Sequence, residues 1–313
     1  MVSSPIALAE PVVFTAARRP AFRGRGMLKH LLLLKHLLLL KHLLLLKHLL
    51  LMMAGLLMVF PFVWMLSGAL KTNDEIFRHP LQLLPSHPDF SSFAAVWRET
   101  HFGLFMYNSL TVALLTSLLV VVNSVLFAYA IVQWRGKTSR LLYGVVMACY
   151  MLPGAVTYIP CYIILAKLHL LDTHIGLIFS NAVSAMGVFY LHQALKKIHP
   201  SLMEAARIDG AGEWVLLRTI VLPQIKPVLA TLFLLIFITN YNSYMWPSLV
   251  ITSPSLNLIS IGIRQYFISG GDYGFNWSNI MAASAIVVMP MLFLFLLCQR
   301  IILSGFSDNG VKE

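Results

Sequence analysis

Charge is scarce in this sequence. Of 313 residues only 11% are Asp, Glu, Lys or Arg, while 58% are hydrophobic. A soluble chain carries about 25% charged residues, so the deficit excludes that class and points to a polytopic membrane protein. Cysteine is scarcer still. Cys149, Cys161 and Cys298 all fall inside apolar runs without metal-ligand spacing and read as packing residues. Catalytic motifs are also missing. There is no HExxH pair, no GxSxG and no pair of carboxylates, which leaves no catalytic and no metal-ligating residue to name. Gly136-Lys137-Thr138 looks like the end of a phosphate-binding loop, but the loop's first glycine would fall on Ile131. The chain therefore has no nucleotide site of its own and is expected to bind no cofactor.

What is present begins with a basic leader, residues 1–48. It holds Arg18, Arg19, Arg23 and Arg25, then a low-complexity repeat in which Lys29-His30, Lys35-His36, Lys41-His42 and Lys47-His48 are separated by apolar fours. Six residues turn a helix by about 600°, so successive pairs visit three faces. That is neither an amphipathic stripe nor a single face of four histidines able to hold a metal. A lysine at bilayer depth costs about 2.5–3.5 kcal/mol, which makes the repeat a poor span. It reads as a juxtamembrane helix at the cytoplasmic surface, with no small-residue cleavage site to mark a signal peptide.

Residues 49–313 read as an all-α transmembrane domain. Six apolar runs reach the length of about 20 residues that a spanning helix needs. They lie at 49–70, 105–133, 141–166, 175–195, 228–250 and 279–299. Pro61, Pro153, Pro160, Pro247 and Pro290 fall inside them and are tolerable where neighbouring helices satisfy the freed backbone groups. With the N-terminus inside, all but five of the 23 lysines and arginines fall on the cytoplasmic side. The five are Lys71, Arg78, Arg98, Lys167 and Arg264. This asymmetry predicts cytoplasmic N- and C-termini and a cytoplasmic loop at 196–227. The bases border apolar runs, so the net charge of +11 suits membrane orientation rather than nucleic acid. Two outward segments are long, 71–104 and 251–278, the second carrying Gly270-Gly271-Asp272-Tyr273-Gly274. Each is either a contact with something outside the membrane or a solvated connector.

No Asp, Glu, Lys or Arg lies within the six runs. Proton- and sodium-driven carriers need intramembrane ionisable groups, so their absence argues against a secondary carrier and against an intramembrane enzyme. Uncharged polar residues do occur: Asn108 and Ser109, Asn123 and Ser124, Asn181 and Ser184, and a cluster of Asn240, Tyr241, Asn242, Ser243 and Tyr244 beside Trp246. Amides suit the hydroxyls of a neutral solute and rings suit its apolar faces. The same residues also suit interhelical hydrogen bonds, worth about 0.6 kcal/mol each. Asn123, Asn240, Tyr241, Asn242 and Tyr244 are the candidates for a substrate path.

The cytoplasmic loop has its own local code. Ser201-Leu202-Met203-Glu204 fits a capping box, predicting a helix over 202–208 with Ser201 as N-cap. Asp209-Gly210 should stop it. A second helix is expected over 213–222, opened by Gly212 and ended by Pro223. Ala205 and Ala206 allow close approach to a partner, and Met203, Ile208, Trp214 and Leu217 could anchor in a groove. Glu204 serves as a cap, a partner contact, or both.

Glu204-Ala205-Ala206, Asp209-Gly210-Ala211, Leu222-Pro223 and Lys226-Pro227 together resemble the EAA loop of ATP-binding-cassette importer permeases. Gly212 departs from the serine common there. Tyr107-Asn108-Ser109-Leu110 is similar to the family's signature before the second span, Met151-Leu152-Pro153 with Pro160 to its third, and Tyr241-Asn242 to its fifth. The tail Gln299-Arg300, Gly305 and Gly310-Val311-Lys312 resembles the carbohydrate-uptake branch, which includes components for maltose-type sugars and for glycerol-3-phosphate. The resemblance covers roughly residues 50–313. It implies a type I importer permease in a bacterial inner membrane, with a second permease, two ATPase subunits carrying ATP and Mg, and an extracytoplasmic solute-binding protein. The loop would dock on the ATPase and drive alternating access. The spans lack a base, which leans the substrate toward a neutral sugar, with glycerol-3-phosphate or a glycerophosphodiester as the alternative and an ATP-independent carrier as the alternative from another class.

Overall fold

The computed structural model describes residues 24–80, 82–99, 101–134, 136–269 and 276–307. The glycine-rich stretch at 270–274, most of the arginine-bearing leader and the Gly310-Val311-Lys312 tail lie outside them. The described residues form helices and turns, with no strand among them. The chain divides into two compact units, Met1–Pro61 and Phe62–Glu313.

The described part of the first unit is one stretch of α1 (Gly24–Ala69), which runs through the Lys-His-Leu repeat without a break. Every described side chain from 38 to 61 is exposed, as expected of leucines on all faces. His42 and His48 turn back to the Leu38 and Leu44 carbonyls, 2.7 and 2.6 Å away. The ring nitrogens thus engage their own helix.

In the second unit, α2 (Asn73–Arg78) and α3 (Ser91–Glu99) occupy the 71–104 segment. The Thr72 hydroxyl accepts from the Glu75 N–H, and Asp89 accepts from the Ser91 N–H and hydroxyl. The long central helix α4 (Phe102–Gln133) packs against several of the helices after it. These begin with α5 (Lys137–Tyr150) and α6 (Gly154–Lys167), α7 (His174–Ser180) and α8 (Ala185–Leu195), α9 (Pro200–Ile208) and α10 (Glu213–Val215). A wide π-turn over Leu216–Val221 and then α11 (Leu222–Gln224) continue α10. The chain ends with α12 (Lys226–Tyr241), α13 (Met245–Val250), α14 (Ile259–Ser269) and α15 (Trp277–Ser307).

Three of the six expected spans are not single helices. The run 141–166 bends by 101° between α5 and α6. Pro153 lacks an N–H and pushes Leu152 out of helical geometry, so the chain must turn there. The run 175–195 bends by 47° between α7 and α8. Asn181 bonds back to the Leu177 carbonyl at 2.9 Å, and the Ser184 hydroxyl caps α8 by accepting from the Gly187 N–H. The run 228–250 stops at Tyr241 and resumes at Met245. A third bend, of 79°, lies at the start of α12, between Glu213–Gln224 and Lys226–Tyr241, and counting each bent pair as one span allows up to six crossings.

Three apolar clusters hold the unit. Phe102, Phe105, Phe237, Tyr241, Ala282 and Ala283 join α4, α12 and α15. Val125, Ala128, Leu191, Met203, Leu217 and Leu232 join α4, α8 and α12 to the loop helices. Leu165, Leu177, Trp246, Val250 and Leu258 form the third. Gly187 lets α8 meet α4 closely, since a Cβ there would sit 2.5 Å from the Ser124 hydroxyl.

Candidate functional site

The loop between α8 and α12 holds two short helical stretches, α9 and the run from α10 to α11. α9 begins two residues earlier than the capping box predicts. His199 is its N-cap, with Nδ1 accepting from the Ser201 N–H, and Pro200 occupies the first turn. Proline has no N–H to lose there and its φ is already helical, so the start moves upstream and Ser201 is not the cap. The stop is as expected. Gly210 has φ +85°, its N–H reaches the Arg207 carbonyl, and the Ala211 N–H reaches the Ala206 carbonyl, a Schellman closure that needs a residue without Cβ strain. Gly212 caps α10 as expected. Pro223, however, does not end the second helix, which runs to Gln224. The π-turn just before Pro223 widens the helix where the ring would otherwise strike the Thr219 carbonyl.

A polar network ties this loop to the end of α4. The Tyr129 hydroxyl donates to the Glu213 carboxylate at 2.6 Å. The Arg207 guanidinium donates to the other Glu213 oxygen at 3.0 Å and to Gln133 Oε1 at 2.8 Å. The Tyr129 bond, ahead of Arg207, holds the Glu213 carboxyl below the usual carboxylate range. Sequence reasoning missed this network, because the partners are 74 to 84 residues apart.

The expected anchors split. Met203 and Leu217 are buried in the core beneath the loop, so they hold it rather than a partner. Ile208 and Trp214 are 86% and 73% exposed. Glu204, Ala205, Asp209 and Pro223 share the exposed surface, while Ala206, Ala211, Leu222 and Pro227 are half-buried. Glu204 makes no hydrogen bond or ion pair among the described residues and caps nothing.

The five substrate-path candidates also split. Asn123 donates to the Ala182 carbonyl at 3.0 Å, satisfying the break between α7 and α8. Asn240 donates to the Ile236 carbonyl of its own helix. Tyr241 is 1% exposed and donates to the Val287 carbonyl of α15 at 3.1 Å. Asn242 is exposed at the end of α12 with no side-chain bond among the described residues. Tyr244 meets a residue outside the spans. Arg264 on α14 donates to its hydroxyl and lies 5.0 Å from its ring centroid. α14 is fixed beside this break by the Ser260 hydroxyl, which donates to the Ser243 carbonyl. It is also fixed by the pair before the second span: the Ser109 hydroxyl accepts from the Ile259 N–H, and Asn108 donates to the Ser255 and Asn257 carbonyls.

No group of three or more His, Cys, Asp or Glu close enough to hold a metal occurs among the described residues.

Broken spans around one long helix, with a short two-helix loop packed on the same core, make the architecture of a polytopic membrane protein. One solved neighbour, a bacterial ABC transporter for the acidic polysaccharide alginate, matches with a TM-score of 0.72 at 20% identity, covering 81% of this chain and 94% of that one. A bacterial alginate ABC transporter in complex with an alginate pentasaccharide-bound periplasmic protein matches with a TM-score of 0.55 at 20% identity, covering 88% and 97%. The chain belongs to the family described as binding-protein-dependent transport system inner membrane component, whose profile matches residues 121–307. It is 33% identical over 258 residues to the sn-glycerol-3-phosphate transport system permease protein UgpE of Pectobacterium atrosepticum, covering 80% of this chain and 92% of that protein. To the lactose transport system permease protein LacG of Rhizobium radiobacter it is 28% identical over 251 residues, covering 80% and 90%. The chain is therefore a multi-pass inner-membrane subunit that takes up solute without catalysis of its own. ATP is hydrolysed on a partner ATPase pair, and a second permease and a solute-binding protein complete the importer.

Proposed function

We propose that this chain forms half of the path for sn-glycerol-3-phosphate or a glycerophosphodiester. The observation that carries the reading is Arg264 against Tyr244, beside the unbonded Asn242. A phosphoryl group needs a cation or several N–H donors on its way, and the lean toward neutral sugar rested on spans that lack one. The spans do lack one, but α14 brings one to the fifth span's break. The names of the relatives agree: 32–33% identity to glycerol-3-phosphate permeases against 28% to a lactose permease.

The orientation we assign puts both termini and residues 196–227 in the cytoplasm, following the positive-inside asymmetry. Residues 1–48 are then a leader to the permease body at 49–313. Glu204, Ala205, Ala206, Asp209, Gly210, Ala211, Leu222, Pro223 and Pro227 form the surface that docks on the ATPase. A carboxylate without a partner, small side chains and two exposed apolar groups support that role.

The test is uptake by proteoliposomes holding the whole importer and its solute-binding protein. Labelled sn-glycerol-3-phosphate should accumulate only with internal ATP. Accumulation of a neutral disaccharide alone would overturn the substrate, and uptake without the ATPase would restore the secondary carrier.

A further inference from the structure

A cavity of about 490 Å³ lies where the end of α4, the start of α5, the end of α8 and the start of α9 meet. Three features of its wall converge on an anion. The first is positive charge: Arg140 and Lys196 both line it, neither side chain has a hydrogen bond or ion pair among the described residues, and no acid is among its described lining residues. The second is the N-terminus of α5, a helix of 14 residues. Gly136 is its N-cap and offers no side chain to the free N–H groups of the first turn. The third is His192, which lines the cavity and is only 4% exposed, with an Nδ1 that has no hydrogen-bond partner and is itself closed off from solvent behind the wall. Its ring stacks on Tyr143 at 4.0 Å, which fixes its position in the wall.

The surroundings say what kind of anion. Leu141, Leu142 and Val145 are exposed along α5 directly after Arg140, and Trp134 is exposed at the mouth. An acyl chain fits that apolar strip, and an indole ring suits the level of lipid headgroups. Basic pockets between spanning helices on the cytoplasmic side are suited to anionic headgroups.

We propose that this cavity binds the phosphate headgroup of an anionic phospholipid from the cytoplasmic leaflet. The proposal rests on the cytoplasmic placement of residues 196–227 and not on the solute carried. Pro200 and Met203 of α9 form part of the wall, so a bound headgroup braces the helix that carries Glu204.

The assembled importer, stripped of lipid, is titrated with phosphatidylglycerol or phosphatidylcholine and followed by native mass spectrometry. The wild type should retain one phosphatidylglycerol in preference to phosphatidylcholine. Arg140→Gln with Lys196→Gln should weaken that step about thirtyfold, from roughly fivefold per basic side chain. Arg140→Lys with Lys196→Arg should keep it. Equal retention by the glutamine variant would overturn the site. Displacement of the lipid by millimolar inorganic phosphate would show a free anion as the ligand and overturn the lipid. No arm requires transport, so a wrong solute leaves the result unaffected.

Discussion

Glutamine in place of Arg264 keeps a long polar side chain and removes the charge. A hydrogen bond to a charged group contributes about 1.5–3 kcal/mol when desolvated, and Arg264 is exposed, so the lower end applies. Arg264→Gln should raise the KM for sn-glycerol-3-phosphate about tenfold, with unchanged amounts of assembled importer. An unchanged KM would remove Arg264 from the path. At the loop, Glu204→Lys reverses a carboxylate that the chain itself leaves unused. Uptake should fall about tenfold or more, because truncating or reversing a buried interfacial charge costs about 2–5 kcal/mol. Co-purified ATPase should fall with it, while the permease stays in the membrane; normal amounts of both would end the docking role. These two residues differ in how legible they were. Glu204 announces itself through a local motif. Arg264 looked like one of five stray outward bases, because its partner Tyr244 is 20 residues away across a turn.

Among the elements, hydropathy located the spans well where a single helix fills them: the run 105–133 is α4, and 279–299 lies within α15. It failed at breaks of three or four residues, since a window near 20 residues averages over them. The residues that make the breaks were visible, Pro153, Asn181, Ser184 and Asn242, but two of the three breaks also draw on a distant partner. Asn123 supplies a donor to Ala182, and Ser260 supplies one to Ser243. Gly210 was legible from the Asp-Gly pair alone. Nothing lies within 4 Å of where its Cβ would be, so Gly210→Val tests backbone strain and not crowding. A β-branched residue at positive φ costs about 1–2 kcal/mol. The variant should speed hydrogen exchange at 209–211 and reduce coupling; unchanged protection would mean that the closure does not hold the loop. A second turn was not legible at all. Asp172, at φ 55°, accepts from the Thr252 and Ser253 N–H groups, 80 residues on. The Ser253 hydroxyl and these N–H groups hold its carboxyl down to about 2, from an ordinary 3.8. A depressed carboxylate stabilises the fold fully above its free value and loses that contribution as pH falls through the folded one. Protection at 251–253 should therefore drop between about pH 4 and pH 2. Asp172→Asn should already be low at neutral pH and flat across that range; a wild-type profile in the variant would refute the linkage.

For the molecule as a whole, composition and charge placement declared the class, and one loop declared the energy source. The solute we propose was not legible, because the contact that supports it lies between α14 and a break in the fifth span. The leader poses the remaining question of scale. At 1.5 Å per residue, the 46 residues of α1 extend about 69 Å, more than twice the roughly 30 Å of bilayer hydrocarbon. Only part of α1 can span, and the orientation we propose draws on charge outside the repeat. Deleting 28–45 removes about five full turns and preserves the helical phase. The shortened helix keeps about 42 Å, still enough to cross. The deletion takes three lysines from the cytoplasmic side, yet the bases there still outnumber Lys71, Arg78, Arg98, Lys167 and Arg264. Because orientation follows the excess near the spans, a reporter fused at the C-terminus should stay cytoplasmic and uptake should remain within about twofold. A C-terminus found outside would show that the Lys-His-Leu repeat sets the topology of the permease, and the orientation assigned to the coupling loop would fall with it.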